Sequence, residues 1–186
     1  MRKNLYLALT ERLRQIVDKD GVPTFEPNTE ARKNLRPVFQ HFDLWNEDIP
    51  QLTKLRPFAT PAVFVEFDTV RWSYCGQKVR EAEIPLRLHI VTATAATAEA
   101  GGRYQAKALE RFDIIDAVTQ ALLSFSFDDG VRQAGTLRYL ESATDHNHEQ
   151  VCDDIESWIA PCRDAAGCKA PDPVPDTVRI AFRTEQ

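Results

Sequence analysis

The sequence predicts an α+β fold: an antiparallel sheet of four to five strands with two helices on one face. Amphipathic helices repeat apolar residues every three or four positions, whereas half-buried strands repeat them every second position. Both patterns occur here, in the order helix, strands, helix, strands, which is typical of helices packed on one face of an antiparallel sheet. The 186 residues, 43% hydrophobic and 27% charged, have the length and composition of one globular domain.

Two segments carry the helical pattern. The first begins near Leu5, where leucines recur every four residues, and ends before Gly21 and Pro23, which are helix-terminating residues. The second and longest extends from about Tyr104 to Phe125. Its apolar residues step by three and four positions, so we expect the following side chains to pack on the sheet: Phe112, Ile115, Val118, Leu122 and Phe125.

Strands are predicted between and after the helices. Ala62–Trp72 is rich in β-branched and aromatic residues and should pair with Ile84–Ile90 as an antiparallel hairpin. Leu137–Ala143 alternates in a similar way, and Val38–Trp45 has the aromatic residues of a short edge strand. Val151–Cys162 fits both a helix and a strand, so its structure stays open at this point.

The domain is expected to span residues 1–162, and residues 163–186 are expected to form a proline-rich C-terminal arm. Pro171, Pro173 and Pro175 mark this arm as a linker. Beyond them, Val178–Phe182 alternates apolar residues with arginine, which predicts a possible terminal strand.

Charge and apolar content argue against two classes of partner. The chain has 23 Lys and Arg against 28 Asp and Glu, a net charge of −5, whereas nucleic-acid binding draws its affinity from a basic surface. No stretch approaches the roughly 20 apolar residues that a transmembrane helix needs. We therefore expect neither a nucleic acid nor a membrane as partner.

The four cysteines have no spacing typical of a zinc ribbon or a disulfide scaffold. They are Cys75, Cys152, Cys162 and Cys168. We expect reduced thiols in a cytoplasm. A bridge between Cys162 and Cys168 is the one pairing that stays open.

The densest group of metal-ligating residue types is Asp145-His146-Asn147-His148-Glu149, with Cys152 three residues beyond. Imidazole, thiolate and carboxylate groups bind zinc and other transition metals, so Asp145, His146 and His148 are candidates for a small metal-dependent hydrolase. A solvated polar turn between two strands explains the same residues without a metal. Because a turn does not fix the directions of the two histidines, we expect no metal here and keep the hydrolase as the alternative function.

Other titratable residues have no positioned partner that the sequence reveals. His89 lies on a predicted strand, but general acid–base catalysis needs a second group held within hydrogen-bond reach. The carboxylate pairs Glu66/Asp68 and Glu110/Asp113 fit a charged rim as well as they fit acid–base chemistry. No nucleophile elbow, phosphate-binding loop or zinc-protease motif is present. We therefore expect no catalytic residue, no cofactor and no enzyme.

Several segments, taken together, resemble a group of phage proteins. The segments are LYLALTERLRQIV, FQHFDLWNEDI, TPAVFVEFDTVRW, IPLRLHIVTA, ALERFDIIDAVTQALLSF and the later strand with DHNHEQ. They are similar to prophage-encoded tail terminator or tail completion proteins of long-tailed and Mu-like phages, from Bacteroidetes-like bacteria. The resemblance covers most of residues 4–162 and rests on the order of elements and on their apolar strings.

This resemblance implies a small α+β subunit without an active site, which assembles as a ring that caps the tail tube and joins it to the head. Its partners would be further copies of itself, the tail tube protein and head-completion proteins. It would act in the bacterial host cytoplasm during assembly and then in the virion tail. Ring contacts of this kind are heterologous, because each subunit presents one patch to a different patch on its neighbour.

Five residues are candidates for the contact between subunits. They are Phe64, Val70, Trp72, Glu110 and Asp113. The three apolar residues are expected on an outer face of their strand that two helices cannot also cover, and exposed apolar surface marks interaction sites. The two acids are expected on the outward side of the second helix, where they would meet arginines such as Arg87 or Arg138 of a neighbour and set the register.

Overall fold

The structure is a computed structural model that describes residues 1–45, 58–76, 78–94, 97–145 and 151–168. Its helices are α1 (Arg2–Leu13), α2 (Thr29–Arg32) and α3 (Gln105–Leu123), and a 3₁₀ turn follows at Ala166–Cys168. Its strands are β1 (Ile16–Lys19), β2 (Val22–Phe25), β3 (Arg36–Pro37), β4 (His41–Leu44), β5 (Ala62–Phe67), β6 (Ser73–Tyr74), β7 (Arg80–Ala93), β8 (Phe127–Asp128), β9 (Arg132–Ala134), β10 (Arg138–Asp145) and β11 (Val151–Asp164).

The main sheet has eight strands in the described part of the chain, and its two longest strands, β7 and β11, pair at the centre. The strand order is β4-β5-β7-β11-β9-β8; in addition, β10 pairs with β11, and β6 pairs with β7. β4 is parallel to β5. The other pairs are antiparallel, so the sheet is mixed.

A second sheet of three strands, in the order β2-β1-β3, follows α1. Its hairpin turns at Asp20 and Gly21, whose φ angles are 56° and 84°. Two consecutive positive φ angles are what a two-residue type I′ turn requires, and Asp-Gly is a preferred sequence for it. Ile16 and Val17, which the apolar spacing placed in the first helix, are therefore the buried start of β1.

One face of the main sheet, here called the helix-covered face, packs against α1 and α3. Directly paired residues of neighbouring strands point to the same face. The buried sheet residues on this face include Val63, Val65, Ile84, Leu86, Leu88, Ile90, Trp158 and Ala160. They form one core with Leu5, Leu9 and Leu13 of α1 and with Ile114, Val118 and Leu122 of α3. Full burial of each large side chain contributes roughly 1.5–3 kcal/mol.

The opposite face of the main sheet is covered at one end by aromatic side chains. Trp45 and Phe58 pack against a small buried group formed by Ala62, Phe64 and Val91. These two aromatic residues flank the connection between β4 and β5. The sheet thus has a second, smaller apolar cluster behind its main core.

The packing face of α3 matches the prediction at Val118 and Leu122, which are buried in the core together with Phe125 just beyond the helix, and Ile115 is partly buried against it, but Phe112 is misplaced. Phe112, expected in the core, is 46% exposed. The buried residues of α3 are Ile114, Ala117, Val118, Ala121 and Leu122. The packed face is therefore formed by three aliphatic residues and two alanines, and the large Phe112 lies outside it.

The predicted fold class is wrong. The main sheet has eight strands instead of four to five, it is mixed and not antiparallel, and a second sheet of three strands lies beside it. Most of the additional strands are two to four residues long, and so short a segment contains too few alternations to be recognised.

Individual predicted elements agree better with the structure than the predicted fold class does. β5 and β7 form the expected antiparallel pair. The ambiguous segment is strand β11, which continues to Asp164 and so extends the sheet beyond residue 162. Val178–Phe182 lies outside the described residues. Among the helices that are described, none is long and apolar enough to cross a membrane.

Candidate assembly surface

Strand β10 forms an open edge of the main sheet. It pairs with β11 on one side, and no strand of the described residues pairs with its other side. The register shifts between Tyr139 and Glu141, so Leu140 is the additional residue of a bulge. Tyr139 is 42% exposed and Leu140 is 54% exposed. Unpaired backbone groups beside exposed apolar side chains make this edge a candidate for strand pairing.

Three hydroxyl groups hold β10 against β11. Ser142 Oγ and Tyr139 OH donate hydrogen bonds to the carboxylate of Glu156, at 2.6 and 2.8 Å. Thr144 Oγ1 donates to Asp154 Oδ1 at 2.7 Å. Burial, followed by the hydrogen bond to Glu156, raises the pKa of the Tyr139 hydroxyl. These bonds fix β10 in an extended conformation against β11.

Strand β4 is the edge at the other side of the same sheet. It pairs with β5, and the strand order of the described chain ends there. The His41 ring stacks on Phe58, with ring centroids 5.6 Å apart and an interplanar angle of 25°. Leu44 is 45% exposed, so this edge too carries an exposed apolar side chain.

A buried histidine lies between β4 and β10 on the opposite face of the sheet. His89 Nδ1 is 2.9 Å from Asp153 Oδ2, and His89 Nε2 is 3.3 Å from Glu66 Oε2. The indole of Trp45 stacks on the imidazole, with centroids 3.6 Å apart and an interplanar angle of 5°. Arg87 Nη1 donates a hydrogen bond to Glu66 Oε2 at 3.1 Å, so Glu66 lies between His89 and Arg87 in one charged cluster.

This cluster cross-links three strands and leaves no ring nitrogen free for a substrate. His89 bonds to both carboxylates at once when both of its nitrogens carry hydrogen, as in the imidazolium form. Asp153 is fully buried and His89 is 4% exposed. Sequence reasoning did not identify Asp153 as the partner of His89. The available signal was an acidic residue within a possible strand, because a charged side chain there needs a partner on a neighbouring strand.

A second charged cluster joins α3 to β11. Arg111 of α3 donates a hydrogen bond to Asp154 Oδ1 at 3.2 Å and another to Cys152 Sγ. Burial, together with the nearby charge of Asp154, raises the pKa of the Cys152 thiol, and Arg111 offsets only part of this effect. A protonated thiol is a weak nucleophile, so this arrangement holds the helix in place and does not activate the cysteine.

A third cluster lies at the end of β11. Arg80 Nη2 donates to Asp164 Oδ2 at 2.9 Å, and the backbone N–H of Ala166 donates to Asp164 Oδ1 at 2.9 Å. Burial favours the protonated acid, but these two donors outweigh it, so the pKa of Asp164 lies below its ordinary value. The carboxylate thereby fixes the residues that follow β11.

All four cysteines are free thiols, so the pairing of Cys162 with Cys168 is not formed. Cys162 is buried and Cys168 is exposed. Burial raises the pKa of the Cys162 thiol to about 12.

Two clefts open on the described surface. The larger, about 1150 Å³, lies between the segment Asp68–Ser73 and the β8–β9 hairpin and includes Pro85, Ile159 and Pro161. The smaller, about 260 Å³, lies beside α3 and includes Arg111 and Cys152 among its lining residues. Neither His89 nor its carboxylate partners Glu66 and Asp153 line either of these clefts.

The predicted outer apolar face does not exist in the form expected. Phe64 is 1% exposed, because Trp45 and Phe58 cover it. Val70 and Trp72 are partly buried against the main core, on the other side of the sheet from Phe64. The assignment of these residues to a subunit contact stays a prediction, but exposed apolar surface on this chain does not support it for Phe64.

The two predicted acids lie on the outward side of α3 as expected, but the arginines proposed to meet them have partners in their own chain. Asp113 is exposed on α3, and Glu110 pairs with Lys107 on the same helix. Arg87 already pairs with Glu66 and Asp68 of its own chain, and Arg138 pairs with Glu83. The two arginines named as contacts of a neighbour's acids therefore have partners within the subunit.

The metal-ligand candidates fall largely outside the described residues. Asp145 is the last residue of β10, whereas His146 and His148 are not described. Across the ranges that the structure describes, no group of three or more His, Cys, Asp or Glu side chains is arranged to hold a metal ion. The metal-dependent alternative therefore stays a prediction.

No protein-family model matches the chain. No curated protein matches it either. The structure is similar to a chain of the virion of a native gene transfer agent (GTA) particle, with 13% sequence identity and a TM-score of 0.48. The alignment covers 87% of this chain and 96% of that chain.

Proposed function

We propose that the chain is a structural subunit of a phage-like virion, and specifically a tail terminator or tail completion protein that assembles as a homo-oligomeric ring. Two lines of argument support the proposal. The first is the resemblance of its apolar segments to prophage-encoded tail proteins. The second is a sheet with β4 at one side of the subunit and β10 at the other, where no strand of the described residues pairs with the outer edge of either.

The outer edges of β4 and β10 are the main support for this proposal. A strand at the edge of a sheet presents unpaired backbone donors and acceptors, which natural proteins usually shield with charge, proline or a covering loop. Here Leu44 lies at one edge, and Tyr139 and Leu140 lie at the other, all more than two fifths exposed. Two different edges on opposite sides allow a heterologous contact, which closes into a ring when the rotation between subunits is suitable.

The charged clusters favour a structural role over catalysis. His89, Arg111 and Arg80 are each engaged by carboxylates that are themselves buried. Buried ion clusters of this kind are expensive to break and hold strands in a fixed arrangement. We therefore propose that the protein acts by shape and assembly and is not an enzyme, with the tail tube and head-completion proteins as its further partners. It would act first in the host cytoplasm and then in the virion tail.

Light scattering over a wide range of protein concentration tests this proposal, with and without the tail tube protein encoded nearest to it. We expect concentration-dependent self-association, or ring formation on the ends of the tube. Leu140→Glu should weaken it by placing a charge at the β10 edge. Leu7→Glu on α1 is a matched control, because Leu7 is 53% exposed and Leu140 is 54% exposed. A chain that stays monomeric throughout and does not bind tube ends would refute the proposal.

A further inference from the structure

We infer that neighbouring subunits join their main sheets head to tail, with β10 of one subunit paired antiparallel to β4 of the next. This inference rests on the proposed function, because it names the two surfaces through which the proposed self-association occurs. Three features of the described sheet carry it: the two open edges, the directions of the strands, and the rows of paired residues that connect one edge to the other.

Strand directions make the two edges compatible. β5 and β11 run in the same direction, because each is antiparallel to β7. β4 is parallel to β5 and therefore shares this direction, whereas β10 is antiparallel to β11 and runs the other way. When a second subunit continues the sheet in the same orientation, its β4 lies beside the first subunit's β10 and runs opposite to it. The new pair is antiparallel, the slightly more stable arrangement.

The residues of the two edges also lie at the same height in the sheet. Four consecutive pairings connect them, and one row reads His41, Ala62, Val91, Asp153, Asp145. A row three residues along reads Leu44, Val65, Leu88, Glu156, Ser142. The whole of β4 therefore faces the same rows as the regular part of β10, beyond its bulge.

This alignment fixes the register of the proposed contact. We place the ring axis along the strands; rotation about such an axis involves no rise, so each row meets the same row of the neighbour. The expected cross-subunit pairs are His41 with Asp145, Phe42 with Thr144, Asp43 with Ala143, and Leu44 with Ser142. In this register each pair shares one face of the sheet, so the helix-covered faces of the two subunits are continuous.

Other registers are less favourable. A shift by one residue turns every side chain of one strand to the wrong face. A shift by two residues in one direction places Asp43 opposite Glu141, and a shift by two in the other direction places Asp43 opposite Asp145. Like charges directly opposite each other destabilise a strand pair. The row register avoids both and places Asp43 opposite the small, uncharged Ala143.

Disulfide trapping tests the inference. The background is the full chain with the exposed Cys75 and Cys168 changed to serine, to which Asp43→Cys and Ala143→Cys are added together. Directly opposed residues have Cβ atoms about 4.5–5.5 Å apart, close enough for a disulfide after a small adjustment. Oxidation with copper–phenanthroline at high protein concentration should give a ladder of covalent oligomers, and dithiothreitol should collapse it to the monomer.

Matched variants separate this contact from others. Each variant with only one of the two added cysteines should stay monomeric when it is oxidised alone. An equimolar mixture of these two variants should stop at dimers. The combination Asp43→Cys with Ser142→Cys places the second cysteine on the other face and should not form the ladder. Far-ultraviolet circular dichroism of every variant verifies that it is folded before oxidation.

The remaining outcomes distinguish this inference from the function on which it rests. Covalent dimers of the Ala143→Cys single variant would indicate two-fold β10–β10 pairing and overturn the head-to-tail contact. Association by light scattering without a ladder, or an equal ladder from the Ser142→Cys combination, would also overturn it and leave the proposed assembly function standing. Neither a ladder nor association at any concentration, with or without tube protein, would refute both.

Discussion

Four acidic side chains of β11 are almost completely buried, and their side-chain hydrogen-bond partners outside this strand lie on three other elements, β7, β10 and α3. Asp153 bonds to His89, Asp154 to Arg111 and Thr144, Asp164 to Arg80, and Glu156 to the hydroxyls of Tyr139 and Ser142. A buried carboxylate without such partners is strongly destabilising. The fold therefore depends on these partners arriving together, which makes β11 the strand that specifies the positions of its neighbours.

The partner of Asp153 provides a direct test at this scale. His89→Ala leaves a fully buried carboxylate without its hydrogen-bond donor, and we expect a loss of roughly 3–5 kcal/mol in the free energy of unfolding. Urea denaturation followed by circular dichroism measures it. His41→Ala is the control, because the His41 side chain is 37% exposed and its ion pair with Asp43 spans 3.9 Å. A loss below about 1 kcal/mol is expected there. Equal losses for the two variants would contradict the assigned role of His89.

The lowered pKa of Asp164 predicts a pH dependence of stability. Because the folded-state pKa lies below the unfolded value of about 3.9, the ionised Asp164 stabilises the fold above that value. This contribution is lost as the pH falls through the folded pKa. Asp164→Asn should therefore be less stable than the native chain at neutral pH and should lose less on acidification. Urea midpoints from neutral pH to about pH 2 would measure the difference, with the exposed Asp116→Asn as control. Parallel acid profiles for all three proteins would contradict the prediction.

At the scale of single elements, the pattern of polar and apolar residues along β11 explains why the sequence left its secondary structure ambiguous. On its helix-covered side, apolar residues occupy only the stretch from Trp158 to Cys162, so hydrophobic alternation indicates only part of the strand. Asp154 and Glu156 occupy core-facing positions that periodicity assigns to apolar residues. Their partners come from α3 and β10, distant in sequence, and composition alone does not reveal them.

Two prolines lie within the central strands, where the missing N–H normally excludes proline. The carbonyl of Pro85 accepts a hydrogen bond from the N–H of Asp68 at 3.2 Å, and that of Pro161 accepts from the N–H of Gly135 at 2.8 Å. In an antiparallel ladder the N–H and C=O of one residue point to the same neighbour. The missing N–H of Pro85 therefore faces the region beyond the end of β5. That of Pro161 faces the gap between β9 and β10.

The packed face of α3 predicts how two substitutions on this helix change the stability of the protein. Because Phe112 is 46% exposed, Phe112→Ala should cost less than about 1 kcal/mol in the free energy of unfolding. Leu122 is fully buried, and Leu122→Ala should cost roughly 2–5 kcal/mol. Both values come from denaturant unfolding of the two variants under one set of conditions. A larger cost for Phe112→Ala than for Leu122→Ala would return Phe112 to the packed face, where the sequence pattern predicts it beside Leu122.

At the scale of the whole molecule, the sequence predicts well the elements with a clear apolar repeat, and predicts their arrangement poorly. The long helix and the β5–β7 pair follow from periodicity, because each contains several repeats of one pattern. β4 joins the sheet parallel to β5, and β10 lies at an edge. Both features depend on chain connections and on pairing with β11, which local patterns do not determine. These two strands are the candidate assembly surface, so the feature that matters most for function is the one that periodicity leaves undetermined.

The response of the assembly to salt distinguishes two kinds of subunit contact. Contacts between the acids of α3 and a neighbour's arginines would weaken with added salt, because the screening length falls from about 10 Å at 0.1 M to about 3 Å at 1 M. Arg87 and Arg138 already have partners in their own chain, whereas strand pairing relies on backbone hydrogen bonds that salt barely screens. We therefore expect the association measured by light scattering to change little over this range. Glu110→Gln with Asp113→Asn should also leave it unchanged. A steep loss of association with salt, reproduced by the double variant, would instead support a contact through Glu110 and Asp113 and contradict one built on β4 and β10.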